Sequence, residues 1–136
     1  MTIFIDTGVW SAARNIRDDL HQDAKTIVGQ ILDGNYGRSF TSDYVFGEMI
    51  ILAIVRTKLY ATARDVGEFI LGFPNLSFLF TPESVFQDAW NIHGQYADKP
   101  LSFTDCTIIS WCNTLNIDHI ASFDEHFDGI VERVII

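Results

Sequence analysis

The stretch MTIFIDTGVW, Met1 to Trp10, opens the chain and decides how the rest is read. Ile3, Phe4 and Ile5 form an apolar run that ends on Asp6, followed by Thr7 and Gly8. A short run that is apolar on both faces predicts a buried parallel strand from Thr2 to Ile5. The acid that closes it has two readings. One is a turn or capping residue; the other is a metal ligand at the carboxyl end of a central strand. The other acids of the chain must decide.

Working outward, the period of the apolar residues changes. Leu20, Ala24, Ile27, Val28 and Ile31 fall at helical spacing, and Gly34 supplies a stop. Residues 38–41 have room for a second strand, after which Ser42 or Asp43 caps a helix through SDYVFGEMIILAIVRTKL. A further helix is predicted over about 61–71, ended by Gly72-Phe73-Pro74, and a strand over LSFLF, Leu76 to Phe80. TPES places Thr81 as the cap of the next helix, with Pro82 at its first position, running to about Tyr96. A helix from Ser102 to Leu115, a strand from Asp118 to Ser122 and a last strand over Val134 to Ile136 complete the reading. Strands alternating with helices predict one three-layer α/β domain over 1–136, a central and mainly parallel sheet flanked by helices. Ligands of such sheets bind outside the carboxyl ends of the strands, near the switch in strand order.

Composition narrows the class. With 136 residues, 48% of them hydrophobic and eleven of them Phe, the chain has enough apolar mass for one buried core. No apolar run is long enough to span a bilayer, and Asp6 interrupts the first one, which argues against a secretory signal. Cys106 and Cys112 lie six residues apart in one helical segment and point to different faces, so the expected setting is reduced and cytoplasmic. A net charge of −9 lacks the basic footprint common in nucleic-acid binders. It also suits a pocket of acids neutralised by cations.

The acids fall in a pattern. Asp6 ends the first strand, and Asp124 follows the strand Asp118–Ser122 in ASFDEHF. Glu48 lies in YVFGEMIILAIV, a run apolar on nearly every side, which predicts a largely buried helix and a carboxylate in need of a partner. Asp105, in LSFTDC, has capping-box spacing from Ser102, a structural role compatible with a place at the same rim. If the four converge, each pair of carboxylates about 5 Å apart repels by roughly 3 kcal/mol at an effective dielectric near 20. Hard divalent cations with oxygen ligands, Mg²⁺ or Mn²⁺, relieve that repulsion and suit phosphoryl chemistry.

These residues carry a family resemblance. Asp6 in FIDTGVW, Glu48 in TSDYVFGEM, Asp105 in LSFTDC and Asp124 in ASFDEHF resemble, in order and separation, the PIN-domain nucleases, and particularly VapC-type toxins of toxin–antitoxin pairs. The likeness covers the whole chain. It implies a PIN fold with four or five parallel strands, and a Mg²⁺- or Mn²⁺-dependent endoribonuclease that is often a homodimer and is inhibited by a cognate antitoxin. Asp6, Glu48, Asp105 and Asp124 would be the metal-binding acids, with Asp128 a lower-ranked alternative for the fourth. Thr7, Ser102 and Ser122 would support them. The implied reaction is hydrolysis of an RNA phosphodiester by a metal-activated water, leaving a 5′-phosphate and a 3′-hydroxyl. Gly8 stands where the family often has Ser or Asn, and Ser122 where it usually has Thr.

Other classes fit less well. The P-loop and GxGxxG fingerprints are absent. A haloacid-dehalogenase-type phosphatase wants a second Asp where Gly8 stands. The rival from another class is a PIN-like module that binds RNA or protein without cutting. For RNA contact, Arg14, Arg17, Arg38 and Lys99 are the candidate cations, and His126 is a neighbour of Asp124.

Overall fold

The computed structural model describes residues 1–134. Five strands, β1 (Thr2–Ile5), β2 (Arg38–Ser42), β3 (Leu76–Leu79), β4 (His119–Ala121) and β5 (Arg133–Val134), form one sheet in the order β3-β2-β1-β4-β5. Every pairing is parallel. Six helices connect them: α1 (Thr7–Arg14), α2 (His21–Leu32), α3 (Asp43–Thr57), α4 (Tyr60–Leu71), α5 (Glu83–Gln95) and α6 (Phe103–Leu115). The chain steps from β1 outward through β2 to β3, then returns to the other side of β1 with β4. Right-handed crossovers in opposite directions put α1–α4 on one face of the sheet and α5–α6 on the other. The switch in strand order lies between β1 and β4.

β1 is central, and beyond the half-buried Thr2 its side chains meet no water: Ile3, Phe4 and Ile5 are fully buried, as is Ile120 of β4. Trp10 of α1 is also fully buried, between the ring edges of Phe69 and Phe73 at 5.9 and 5.0 Å. Its indole N–H donates to the Thr41 hydroxyl (3.2 Å), which donates in turn to the Ile5 carbonyl (3.2 Å). One aromatic side chain thus locks α1 and α4 onto the carboxyl ends of β1 and β2. Cys106 and Cys112 are buried free thiols.

Several sequence expectations change. Helix α1 was not foreseen; it starts one residue after the strand, with Asp6 as its N-cap. Thr81 does not cap α5. Pro82 takes that position, while the Thr81 hydroxyl and N–H bond the Asp43 carboxylate at 2.6 and 3.1 Å. Helix α3 is not buried on all sides. Val45, Met49 and Ala53 face the core, whereas Ile51, Ile54 and Val55 are exposed, because the helices packed beside it, chiefly α1 and α4, cover only one face of the helix. The final strand begins one residue earlier than expected, and residues 135–136 lie outside the described part. No helix among the described residues is long and apolar enough to cross a membrane.

Candidate active site

Asp6 is carried to the carboxyl rim by β1 and Ser122 by β4. Ile5 pairs with Ala121, so the next residue of each strand lies beside the other across the switch point. The Asp6 N–H donates to the Ala121 carbonyl at 3.0 Å, and the Ser122 hydroxyl donates to Asp6 Oδ2 at 2.7 Å. Asp6 Oδ1 accepts from the Thr7 N–H at 2.7 Å. The capping reading of Asp6 therefore holds, and capping aims its carboxylate over the rim.

Two other acids are placed the same way. Asp105 completes a capping box at the start of α6: its Oδ2 accepts from the Ser102 N–H at 2.9 Å, and Ser102 Oγ accepts from the Asp105 N–H at 3.0 Å. Asp124 caps a short 3₁₀ turn, Glu125–Phe127, by accepting from the His126 N–H at 2.8 Å. The Asp124 N–H in turn donates to Ser122 Oγ at 3.0 Å, so one serine hydroxyl touches both strand-end acids. Glu48 arrives differently. It projects from the middle of α3 and is exposed, contrary to the burial expected from its apolar surroundings.

All four acids line one cleft of about 540 Å³, together with Thr7, Gly8, Ser102, Phe123 and His126. Asp128 is not in that lining; Arg133 holds its carboxylate by two hydrogen bonds of 2.9 and 3.1 Å. Among the candidate cations, Arg14 is tied to Asp65 and stacked on Phe69. Arg38 sits at the amino end of β2, the rim opposite the acids, and bonds Ser77. Strand polarity in the sequence already carried that information. Lys99 reaches the carbonyls of His126 and Asp128 at 3.5 and 3.2 Å. Sequence reasoning missed Asp18, Leu20, Leu52 and Arg56, which also line the cleft.

Electrostatics mark the cluster. The Asp6 carboxyl is pushed up to about 7, first by burial and further by the charges of Asp105 and Glu48, against the pull of the Ser122 and Thr7 hydrogen bonds. Asp105 is also raised, again mainly by burial, with Asp124 and Glu48 adding to it. Each of the two buried acids thus senses two other acids of the set.

Among the described residues, no group of three or more His, Cys, Asp or Glu side chains stands ready to hold a metal ion. Each capping acid is turned toward its own backbone N–H groups. In kind, the donors suit a hard cation: four carboxylates, with no thiolate in the cleft lining and a single imidazole. The Thr7 hydroxyl is buried beside Asp6 and has no hydrogen-bond partner, leaving a polar group for a bound water or ion to satisfy. The fit is one of chemistry, and coordination requires the carboxylates to turn inward and Asp6 to be ionised.

An all-parallel sheet with carboxylates gathered at its switch point defines an α/β domain of acid-lined cleft type. The PIN domain profile matches residues 3–132, and the chain belongs to the PIN domain family. It is 27% identical over 131 residues to a VapC ribonuclease from Archaeoglobus fulgidus, an alignment covering 93% of this chain and 80% of the relative. Its fold is similar to that of VapC20 from Mycobacterium tuberculosis, a Sarcin-Ricin loop cleaving toxin, with a TM-score of 0.82, 24% identity and coverage of 96% and 97%. It is also similar to VapBC2 from Rickettsia felis bound to a promoter DNA fragment, with a TM-score of 0.69, 14% identity and 98% coverage of each chain.

Proposed function

We propose that this protein is a Mg²⁺- or Mn²⁺-dependent endoribonuclease, the toxin of a type II toxin–antitoxin pair, folded as one domain and working in the cytoplasm. The observation that carries the reading is the Asp6–Ser122 contact at the switch point, within a cleft shared with Glu48, Asp105 and Asp124. The Archaeoglobus relative, named a ribonuclease, and the fold of a loop-cleaving toxin support RNA as substrate. Solved VapBC assemblies among the similar folds support a protein antitoxin as partner.

Asp6, Glu48, Asp105 and Asp124 would hold the cation. When bound, it neutralises the acids, activates water and stabilises charge on the phosphodiester. The chain's own part is positional. Ser122 orients the Asp6 carboxylate by hydrogen bonding and fixes the backbone of Asp124. Ser102 holds Asp105 at the mouth of α6. His126 Nδ1, 2.8 Å from Asp124 Oδ1, fixes the outer acid.

A homodimer is part of the proposal. Phe103 packs against Tyr44 and Phe86 at 5.8 and 4.9 Å, and Trp90 on α5 is 60% exposed, leaving an apolar face that a second copy would cover.

The test is cleavage of structured and unstructured RNAs with Mn²⁺ or Mg²⁺, with and without chelator, for wild type and Asp6→Asn. Metal-dependent cleavage leaving 5′-phosphates and lost in the variant supports the nuclease. The negative charge of −9 and the engagement of Asp6, Asp105 and Asp124 as helix caps favour a second reading, a non-cutting binding module. Metal binding without cleavage of any RNA would favour that module.

A further inference from the structure

The cleft extends beyond the four acids. On α3, Glu48, Leu52 and Arg56 recur every fourth residue and all line it, next to the buried Val45, Met49, Ala53 stripe that faces the core. Eight residues of helix separate Glu48 from Arg56, about 12 Å along the axis. Leu52 lies between them on the same helix face, and Leu20 adds a second apolar side chain to the lining. The trough therefore has an acidic end, an apolar middle and an end formed by the Arg56–Asp18 ion pair.

Arg56 is built into that end. Its Nη1 donates to Asp18 Oδ2 at 3.1 Å, and Asp18 Oδ1 accepts from the Leu20 N–H at 2.9 Å. Asp18 is thus fixed by its own loop, with its side chain only 14% exposed, whereas Arg56 keeps 48% of its side-chain surface. That bond is the only one the Arg56 side chain makes among the described residues. Most of the five N–H donors of a guanidinium are therefore free to meet a ligand. Arg56 pairs with Asp18 and not with Glu48, so its charge does not neutralise the acid cluster.

Resting on the ribonuclease reading, we propose that Arg56 binds a backbone phosphate of the RNA away from the cleaved bond. The intervening nucleoside would lie along Leu52 and Leu20. Two features make this the fitting ligand. A guanidinium matches phosphate oxygens in a fork. In a chain of net charge −9, a polyanion entering the cleft needs a local cation at a distance from the acids. Arg56 acts as a positioning residue: it holds the strand in register with the acids and does not touch the reacting atoms.

The experiment compares wild type with Arg56→Ala, Arg56→Lys and Asp18→Asn. Cleavage of a single-stranded RNA is followed in Mn²⁺, and binding of a fluorescent RNA oligonucleotide is followed in Ca²⁺ by anisotropy over a salt series. Arg56→Ala should raise KM and Kd about tenfold with kcat within about twofold, and lower the log–log salt slope by about 0.7, the contribution of one single-strand phosphate contact. Arg56→Lys should recover part of the affinity. Asp18→Asn keeps the cation and should bind RNA at least as well as wild type. A mere tie between the loop and α3 would instead make Asp18→Asn as harmful as Arg56→Ala. That result, or an unchanged salt slope in Arg56→Ala, overturns the proposal while leaving the nuclease reading intact. Binding that depends on Arg56 without cleavage of any RNA would instead remove the nuclease and keep the RNA contact. Neither binding nor cleavage by wild type would remove both.

Discussion

The Ser122 hydroxyl lies 2.7 Å from Asp6 Oδ2, although 116 residues separate the two in sequence. The contact exists because β1 and β4 are parallel neighbours in a register that ends both strands at the same level. It stabilises the ionised form of a carboxylate that burial otherwise disfavours.

Replacing Ser122 by Ala should therefore act on Asp6 as well as on the fold. The variant loses the donor to Asp6 and the acceptor for the Asp124 N–H, both buried at the rim, a loss of about 1–3 kcal/mol in stability. Asp6 would move still higher, so RNA cleavage should fall near neutral pH and partly recover in alkali. A pH profile of kcat/KM checks this. A curve parallel to wild type at all pH values would separate Ser122 from the ionisation of Asp6.

Asp6 should also make the metal-free fold weaker as pH rises. Its folded-state value of about 7 stands above the usual 3.8. Between those values the folded chain keeps a proton that the unfolded chain has released, so stability is lost as pH climbs through that window. The full difference corresponds to about 4 kcal/mol as a ceiling, because coupling to Asp105 and Glu48 shares it. Asp6→Asn cannot titrate. In chelator, the melting temperature of the variant minus that of wild type should grow from pH 4 to pH 7. A variant that melts lower by a constant amount would assign Asp6 to helix capping alone.

Gly8 offers a test of local structure. It lies in the first turn of α1, and an added Cβ would meet only Phe123 Cδ2, at 3.9 Å, an ordinary contact. Gly8→Ala should raise stability by about 0.5–1 kcal/mol through backbone entropy, roughly 2–4 °C in Tm for a chain of this size. Thermal unfolding in chelator measures it, and a fall in Tm would show that α1 needs the glycine.

How much of this was legible in the sequence depends on distance along the chain. Asp6 was readable because it directly follows β1, and Asp124 because it lies within three residues of the end of β4. The Ser102–Asp105 box was readable because a cap and its partner lie three residues apart. Helix α1 was not: it has only eight residues, about two turns in which to display its apolar face, and a glycine in its first turn. The exposure of α3 was not readable either. Hydropathy registers Ile51, Ile54 and Val55, but only the packing of α1 and α4 decides that Val45, Met49 and Ala53 meet the core. The Asp18–Arg56 pair spans 38 residues and depends on the turn before α2, which leaves no local signature.

Metal affinity should rise steeply with pH through neutrality. At pH 6 Asp6 is mostly protonated, with its carboxyl near 7, and Asp105 is raised as well. A cation must displace the Asp6 proton before it can use that carboxylate, so binding releases a proton and strengthens as pH increases. The metal-free fold meanwhile weakens over the same range, which leaves more repulsion for the cation to relieve. Both effects have the same sign. The rise in Tm caused by saturating Mn²⁺ should therefore be larger at pH 8 than at pH 6, and Asp6→Asn should reduce both the rise and its pH dependence. Calorimetric titration in two buffers of different ionisation enthalpy counts the protons released. Proton release near zero at pH 6.5, with Mn²⁺ bound as tightly as at pH 8, would mean that the cation sits away from Asp6. The cleft would then be acidic for a reason other than metal.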